Sequence, residues 1–309
     1  MRILVVGAGA TGGYFGARLA EAGRDVTFLV RSERAAQLGR DGLRVLSPHG
    51  DIRLTPNVMV PGEATAPFDV LLLAVKALEL DAAFDALAPA VGPQTMILPF
   101  LNGLRHVDLL VERFGEAATL GGVCVIASTL DRHGRIVQLT GGTQSLTYGE
   151  RDGTRSERIA ALDAALTGAN FDTRLSTTIM RDMWEKWVML ASAGAVTCLL
   201  RGAIGEILAV EGGAETILRC LAEAAAIAEA SGHPPRPAVL DGTRALLTES
   251  GSPLATSMYR DMLSGQPVEV EHILGDLIRR GRLVDLDTPL LDAAAAKLRV
   301  YQARLVKHA

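Results

Sequence analysis

Residues 1–34, MRILVVGAGATGGYFGARLAEAGRDVTFLVRSER, carry the reading that decides the fold. A short apolar run, Ile3 to Val6, leads at once into Gly7, Gly9 and Gly12. A helical pattern follows through Phe15, Leu19 and Ala20, then a second apolar run, Val26 to Val30, after Gly23. Strand, glycine turn, helix, strand is the context in which a GxGxxG match indicates a dinucleotide site. The first glycine permits the tight turn, the second lets backbone approach a pyrophosphate, and the third lets the helix pack close to the sheet. The phosphates then face the free N–H groups and positive dipole end of the helix. The residues predicted to line them are Gly7, Ala8, Gly9, Ala10, Thr11 and Gly12.

The end of the second apolar run bears on the choice of cofactor. An Asp or Glu there bonds the ribose hydroxyls of NAD. Here Arg31 follows the run, with Ser32, Glu33 and Arg34 after it. A guanidinium binds a 2′-phosphate bidentately, whereas a carboxylate would repel it. The pattern therefore predicts NADP(H), with Arg31 and Arg34 either phosphate ligands or plain surface charges. Lys76, at the end of VLLLAVK, reads equally as a phosphate contact or a solvated strand end.

Working outward, the first half alternates strand patterns (2–6, 25–30, 43–46, 69–75, 95–98, 120–127) with helical ones (12–22, 32–39, 78–89, 104–113). Such alternation predicts an α/β domain with an open, mainly parallel, doubly wound sheet of the Rossmann type. GRIVQLTGG and SLTYGE read as a hairpin through Gly141, Gly142 and Thr143, with a helix at 155–167 and a strand at 170–174 completing the domain. From about 176 the chain reads as helix throughout, in segments 176–200, 205–232, 235–249, 255–263, 267–284 and 289–306. The expected organisation is a nucleotide-binding domain over 1–175 and an all-α domain over 176–309, with the active site in the cleft between them.

Of 309 residues, 49% are hydrophobic and 21% charged, and the net charge is −4. No basic block interleaved with aromatics is present, which argues against a nucleic-acid partner. No signal-peptide pattern or membrane-length apolar run is found, so a cytoplasmic chain is expected. Cys124, Cys198 and Cys220 lie in apolar segments without metal spacing and read as buried, reduced thiols. The six histidines show no metal pattern and read as surface imidazoles. The apolar C-terminal helices are candidates for a homodimer face.

Chemistry concentrates in three places. In WEKWVMLASAGAVTCLLRGAIGEI (184–207), Lys186 is followed by no charge until Arg201. Met189, Leu190, Ala193, Gly194 and Thr197 continue its face at helical spacing. Small residues there make room for a ligand or a close helix. Lys186 is either a snorkelling lysine or, withdrawn from water, a general acid of lowered pKa. In PVEVEHILGDLI (267–278), Glu269, Glu271 and His272 open a helix, where acids also suit the dipole. Ser257, in ATSMYRDML, reads as a helix cap or a ligand hydroxyl. Asn102 and Gly103 lie past a strand's carboxyl end, the edge where open α/β sheets bind ligands.

In their order and spacing these pieces resemble the ketopantoate reductase (2-dehydropantoate 2-reductase) family over nearly the whole chain. The pieces are GAGATGGYFGARLAEAG, Arg31, VK at 75–76, LNG at 101–103, WEKW around Lys186, SMYRDM at 257–262, VEVEHILG and DTPLLD at 287–292. The resemblance implies an N-terminal NADP-binding domain, a helical C-terminal domain, and reduction of a 2-keto acid to a 2-hydroxy acid. By motif, Lys186 takes the place of the catalytic lysine that protonates the ketone oxygen, and Glu269 that of the assisting acid. Asn102 takes that of an asparagine near nicotinamide and substrate, and Ser257 that of a substrate-binding serine. Two family asparagines, one and two turns beyond the lysine, are here Leu190 and Gly194, and a third, three residues before the serine, is Leu254. A site that loses such polar partners discriminates differently. The implied substrate is therefore ketopantoate or a different, more apolar keto acid. A non-catalytic NADP(H)-binding sensor is the alternative from another class.

Overall fold

The structure is a computed structural model and describes residues 1–308. The chain divides into two compact units. Met1–Leu101 and His106–Ile179 form the first; Asn102–Arg105 and the chain from Met180 onward form the second.

The first unit is built on strands β1 (Arg2–Val6), β2 (Asp25–Leu29), β3 (Leu43–Leu46), β4 (Ile52–Leu54), β5 (Asn57–Met59), β6 (Val70–Leu73), β7 (Met96–Pro99), β8 (Gly121–Val125), β9 (Ser128–Leu130), β10 (Ile136–Gln138), β11 (Ser145–Gly149) and β12 (Asp172–Leu175). Its helices are α1 (Ala10–Glu21), α2 (Ser32–Asp41), α3 (Leu80–Leu87), α4 (Arg105–Phe114) and α5 (Glu157–Leu166). The central sheet runs β5-β2-β1-β6-β7, and every neighbouring pair is parallel. Its strands alternate between two apolar layers, as the period of two demands. Ile3, Val5, Val70 and Leu72 pack with Phe15 of α1 and Leu162 of α5. Leu4, Val6, Leu71 and Leu73 pack with Leu80 and Phe84 of α3 and Leu110 of α4. Both faces are covered, which is the doubly wound α/β fold.

Two smaller sheets, β4-β3-β10-β9 and β12-β11-β8, flank the central one. They overturn the expected hairpin through Gly141–Thr143. β10 pairs with β3 and β9, whereas β11 pairs with β8 and β12. The hairpin that forms is β9–β10, closed by Asp131–Arg135. The Asp131 carboxylate accepts the N–H groups of His133 and Arg135, each at 2.9 Å, and the Asp131 N–H donates to the Arg135 carbonyl at 2.9 Å. A side-chain anchor of that kind selects a turn that glycine content alone does not reveal.

The second unit is helical: α6 (Ile179–Leu200), α7 (Ile204–Leu208), α8 (Gly213–Ala230), α9 (Pro237–Leu247), α10 (Ser257–Leu263), α11 (Asp276–Leu283) and α12 (Pro289–His308). The single helix expected over 205–232 is two, separated around Gly212, which adopts φ 76°. A π-helical turn, Glu271–Gly275, precedes α11. Two histidines expected at the surface are buried: His106, 0% exposed in α4, and His272, 9% exposed in the π-turn. Each sits on the inward face of its helix, which single-residue polarity does not indicate. The His308 side chain lies outside the described residues. Cys124, Cys198 and Cys220 are buried and outside any disulfide, and burial pushes the Cys198 and Cys220 thiols up to about 12. No described helix is long and apolar enough to cross a membrane.

Candidate functional site

In the first unit the glycine turn links β1 to α1. Gly7 holds φ 98°, a conformation that favours glycine, and its N–H donates to the Leu29 carbonyl at 3.0 Å. A Cβ on Gly12 would stand 2.2 Å from the Gly7 carbonyl oxygen and 2.6 Å from the Ala74 Cβ, so α1 starts in direct contact with β1 and the end of β6. A Cβ on Gly9, the N-cap of α1, would meet nothing within 4 Å. The turn is therefore closed at Gly7 and Gly12 and open at Gly9. With the helix-heading N–H groups of Ala10, Thr11 and Gly12, it fits a pyrophosphate.

The two arginines after β2 have separate fates. Arg34 ties the turn down: its Nε donates to the Ala8 carbonyl at 3.2 Å and its Nη1 to the Gly134 carbonyl at 3.0 Å and Gln37 Oε1 at 2.6 Å. Burial holds its guanidinium below the ordinary arginine range. Arg31 is the N-cap of α2, with its side chain 78% exposed. It forms an ion pair with Glu79, in the turn Ala77–Glu79 that follows β6. Lys76 is exposed at the start of the same turn. Sequence reading missed Glu79, since nothing along the chain announces a partner so far from Arg31.

In the second unit the sequence WEKW is locked on three sides. Trp184 and Trp187 are 2% and 1% exposed, and their ring centroids lie 5.0 Å apart. His233 stacks on Trp184, and the Arg280 guanidinium lies 5.7 and 5.6 Å from the two indole centroids. Glu185, 5% exposed, accepts the Arg236 backbone N–H at 2.7 Å and its Nε at 2.8 Å. Lys186 is the half-buried position among these buried ones. The Trp187 Nε1 donates to the Ile273 carbonyl at 2.9 Å, on the π-turn.

Asn102–Arg105 belongs to this same unit. Gly103 takes φ 78°, and a Cβ there would stand 2.6 Å from the His272 carbonyl oxygen and 3.6 Å from the Trp187 Nε1. The Glu269 carbonyl accepts the N–H groups of His272 and Ile273 at 3.1 and 3.0 Å. Asn102, Lys186 and Glu269 thus adjoin one cluster made by Gly103, Trp187 and the π-turn. A π-turn widens the helix locally, often at functional sites. Sequence patterning gave no sign of it. The neighbouring Glu271 points elsewhere: Arg299 grips its carboxylate at 2.7 and 2.8 Å and holds it below the usual carboxylate range.

The positions that depart from the family pattern are filled by packing. Gly194 is buried, and a Cβ there would stand 2.8 Å from the Met258 Cε, so α10 seats against α6 through a thioether. Leu190 and Leu254 are half-buried. Ser257 is exposed at the first position of α10 and is not its cap; Thr256 is, its hydroxyl accepting the Tyr259 N–H at 3.2 Å. The Thr256 and Thr197 hydroxyls lie 3.2 Å apart. Among the described residues no group of three His, Cys, Asp or Glu is placed to hold a metal ion.

A doubly wound domain with this turn, followed by a helical unit, defines the class of dinucleotide-binding oxidoreductases. The family description "Ketopantoate reductase PanE/ApbA" matches residues 3–153, and "Ketopantoate reductase PanE/ApbA C terminal" matches residues 178–302. The chain belongs to the ketopantoate reductase family. It is 38% identical over 98% of its length to the uncharacterized oxidoreductase YkpB of Bacillus subtilis, covering 99% of that protein. It is 29% identical to a 2-dehydropantoate 2-reductase of Halobacterium salinarum, over 98% of this chain and 99% of the relative. The solved 2-dehydropantoate 2-reductase of Geobacter metallireducens superposes with TM-score 0.88 at 28% identity, over 97% of this chain and 99% of that one.

Proposed function

We propose that this chain reduces a 2-keto acid to the 2-hydroxy acid with NADPH, with Lys186 as the proton donor. The observation that carries the reading is the convergence of Asn102–Gly103, WEKW and the π-turn on one cluster, in which Lys186 alone of WEKW is half-buried rather than buried. The backbone of Gly7 to Gly12 would hold the pyrophosphate, with Arg31 and Lys76 near the cofactor's other phosphates. When bound, the reduced nicotinamide supplies the hydride to the carbonyl carbon. Lys186 hydrogen-bonds the carbonyl oxygen as charge grows there and delivers the proton that completes the hydroxyl. Its backbone is fixed by two packed indoles and a buried carboxylate, so little reorganisation is needed. Glu269 orients the lysine, and Asn102 and Ser257 orient the substrate. Lys186→Ala is expected to lower kcat by about 10²–10⁴ while NADPH binding persists. Near-normal turnover of NADPH by that variant would refute the assignment.

A second reading keeps this chemistry and changes the substrate to a bulkier, more apolar keto acid. It rests on Met258 at Gly194 and on Leu190 and Leu254, which put thioether and alkyl groups where the family pattern has amides. Steady-state rates on ketopantoate and a panel of 2-keto acids with larger apolar side chains distinguish the two. Exclusive turnover of ketopantoate would eliminate the second.

A further inference from the structure

We infer that Glu79 sets this chain's choice between NADPH and NADH by competing with the cofactor's 2′-phosphate for the Arg31 guanidinium. The inference rests on the reading that Arg31 faces the adenosine ribose. A carboxylate at the end of the second strand favours NAD, and an arginine there favours NADP. In this chain both groups are present, brought from different elements. Arg31 caps α2, and Glu79 ends the turn that follows β6, two strands away across β1. They meet as an ion pair.

Both backbones are set. Arg31 is extended at its N-cap position, at φ −65° and ψ 153°, and the Glu79 N–H donates to the Lys76 carbonyl at 2.9 Å. Arg34 is tied to the turn, with its Nε on the Ala8 carbonyl, its Nη1 on the Gly134 carbonyl and its Nη2 buried, which leaves Arg31 as the exposed guanidinium of the two. The pair itself lies in water, with side chains 78% and 43% exposed. Such a pair is weak enough for a phosphate dianion to displace. Displacement leaves a carboxylate beside the dianion, and like charges repel. NADH asks for neither change: the pair persists, and the Glu79 carboxylate can accept a ribose hydroxyl. Glu79 therefore weakens NADPH selectively and narrows a preference that Arg31 alone would make wide.

The test is equilibrium binding of NADPH and NADH to the purified full-length apo protein, read by quenching of intrinsic tryptophan fluorescence. Glu79→Gln is expected to tighten NADPH about fivefold, the upper range for an exposed pair, and to leave NADH unchanged or weaker. In an Arg31→Ala background the same substitution is expected to shift the ratio of the two affinities less, because only the direct repulsion between carboxylate and phosphate remains. A ratio unchanged by Glu79→Gln in the native background, or shifted equally without Arg31, overturns the inference. The underlying reading fails by different results: no binding of either dinucleotide, or full NADPH affinity in Arg31→Ala. Thermal midpoints of the variants separate a folding defect, which would weaken both cofactors alike.

Discussion

Gly194 shows how the space of one missing side chain is taken by another element of the fold. The family pattern puts an asparagine there; here the Met258 methyl stands 2.8 Å from where a Cβ would begin. The absent side chain has been replaced from a different helix, so restoring it means overpacking. Gly194→Asn is expected to destabilise the protein by about 1 kcal/mol in urea denaturation, the low end for overpacking, because the Met258 methyl is the end of a flexible side chain. If the variant is as stable as the parent, the thioether does not occupy that place. Gly12 poses a harder constraint, because its neighbour is backbone: the Gly7 carbonyl oxygen would be 2.2 Å from a Cβ there. The glycines of the turn were legible in the sequence because they follow a known spacing. Gly194 was legible as a departure, but its occupant lies 64 positions along the chain.

At the scale of elements, α6 is held by charge as well as by its indoles. Asp182 and Glu185, each 5% exposed, share the Arg236 guanidinium from the start of α9. Arg236→Ala removes that cation from two buried carboxylates. Because the arginine side chain is itself 38% exposed, the expected loss is about 2–3 kcal/mol, below the range for fully buried pairs. Arg236→Lys should recover part of it. In the first unit, Glu150 at the end of β11 accepts from Arg158 at 2.7 and 2.6 Å and from Ser156 at 2.6 Å. The Arg158 hydrogen bonds hold its carboxyl below the ordinary 4.5. A carboxyl lowered on folding contributes stability that is present above its unfolded value and lost as pH falls through the folded one. The stability gap between the parent and Glu150→Gln should therefore be full at pH 7 and close as pH falls below about 4.5. A gap constant with pH would show that the ion pair is not its source. Elements also mark where sequence patterning fell short. β10 and β11 are each strand-like, but the side-chain anchor at Asp131 folds β10 back onto β9, while β11 pairs with β8 and β12 from other parts of the chain.

At the scale of the whole molecule, the glycine turn and the Arg31 and Lys76 proposed for the cofactor all lie in the first unit, and the Lys186, Glu269 and Ser257 proposed for the substrate lie in the second. Saturating dinucleotide should then stabilise the first unit: at a hundred times the Kd, NADPH is expected to add about 2.7 kcal/mol to the transition in which that unit unfolds. Unfolding followed with and without NADPH checks this, and an unmoved transition would contradict a site built on Gly7 to Gly12. The amino-acid sequence by itself determined the class of the fold, the glycine turn and the identity of the residues available for chemistry. Those properties follow from local periodicity and from the few backbone shapes that glycine spacing permits. Tertiary structure alone decided that Asn102–Arg105 joins the helical unit and that a π-turn places Gly103 beside Trp187. It alone decided that Met258 fills Gly194 and that Glu79 reaches Arg31. Each of these depends on atoms brought within a few ångströms from distant points of the chain, a proximity that no local pattern encodes.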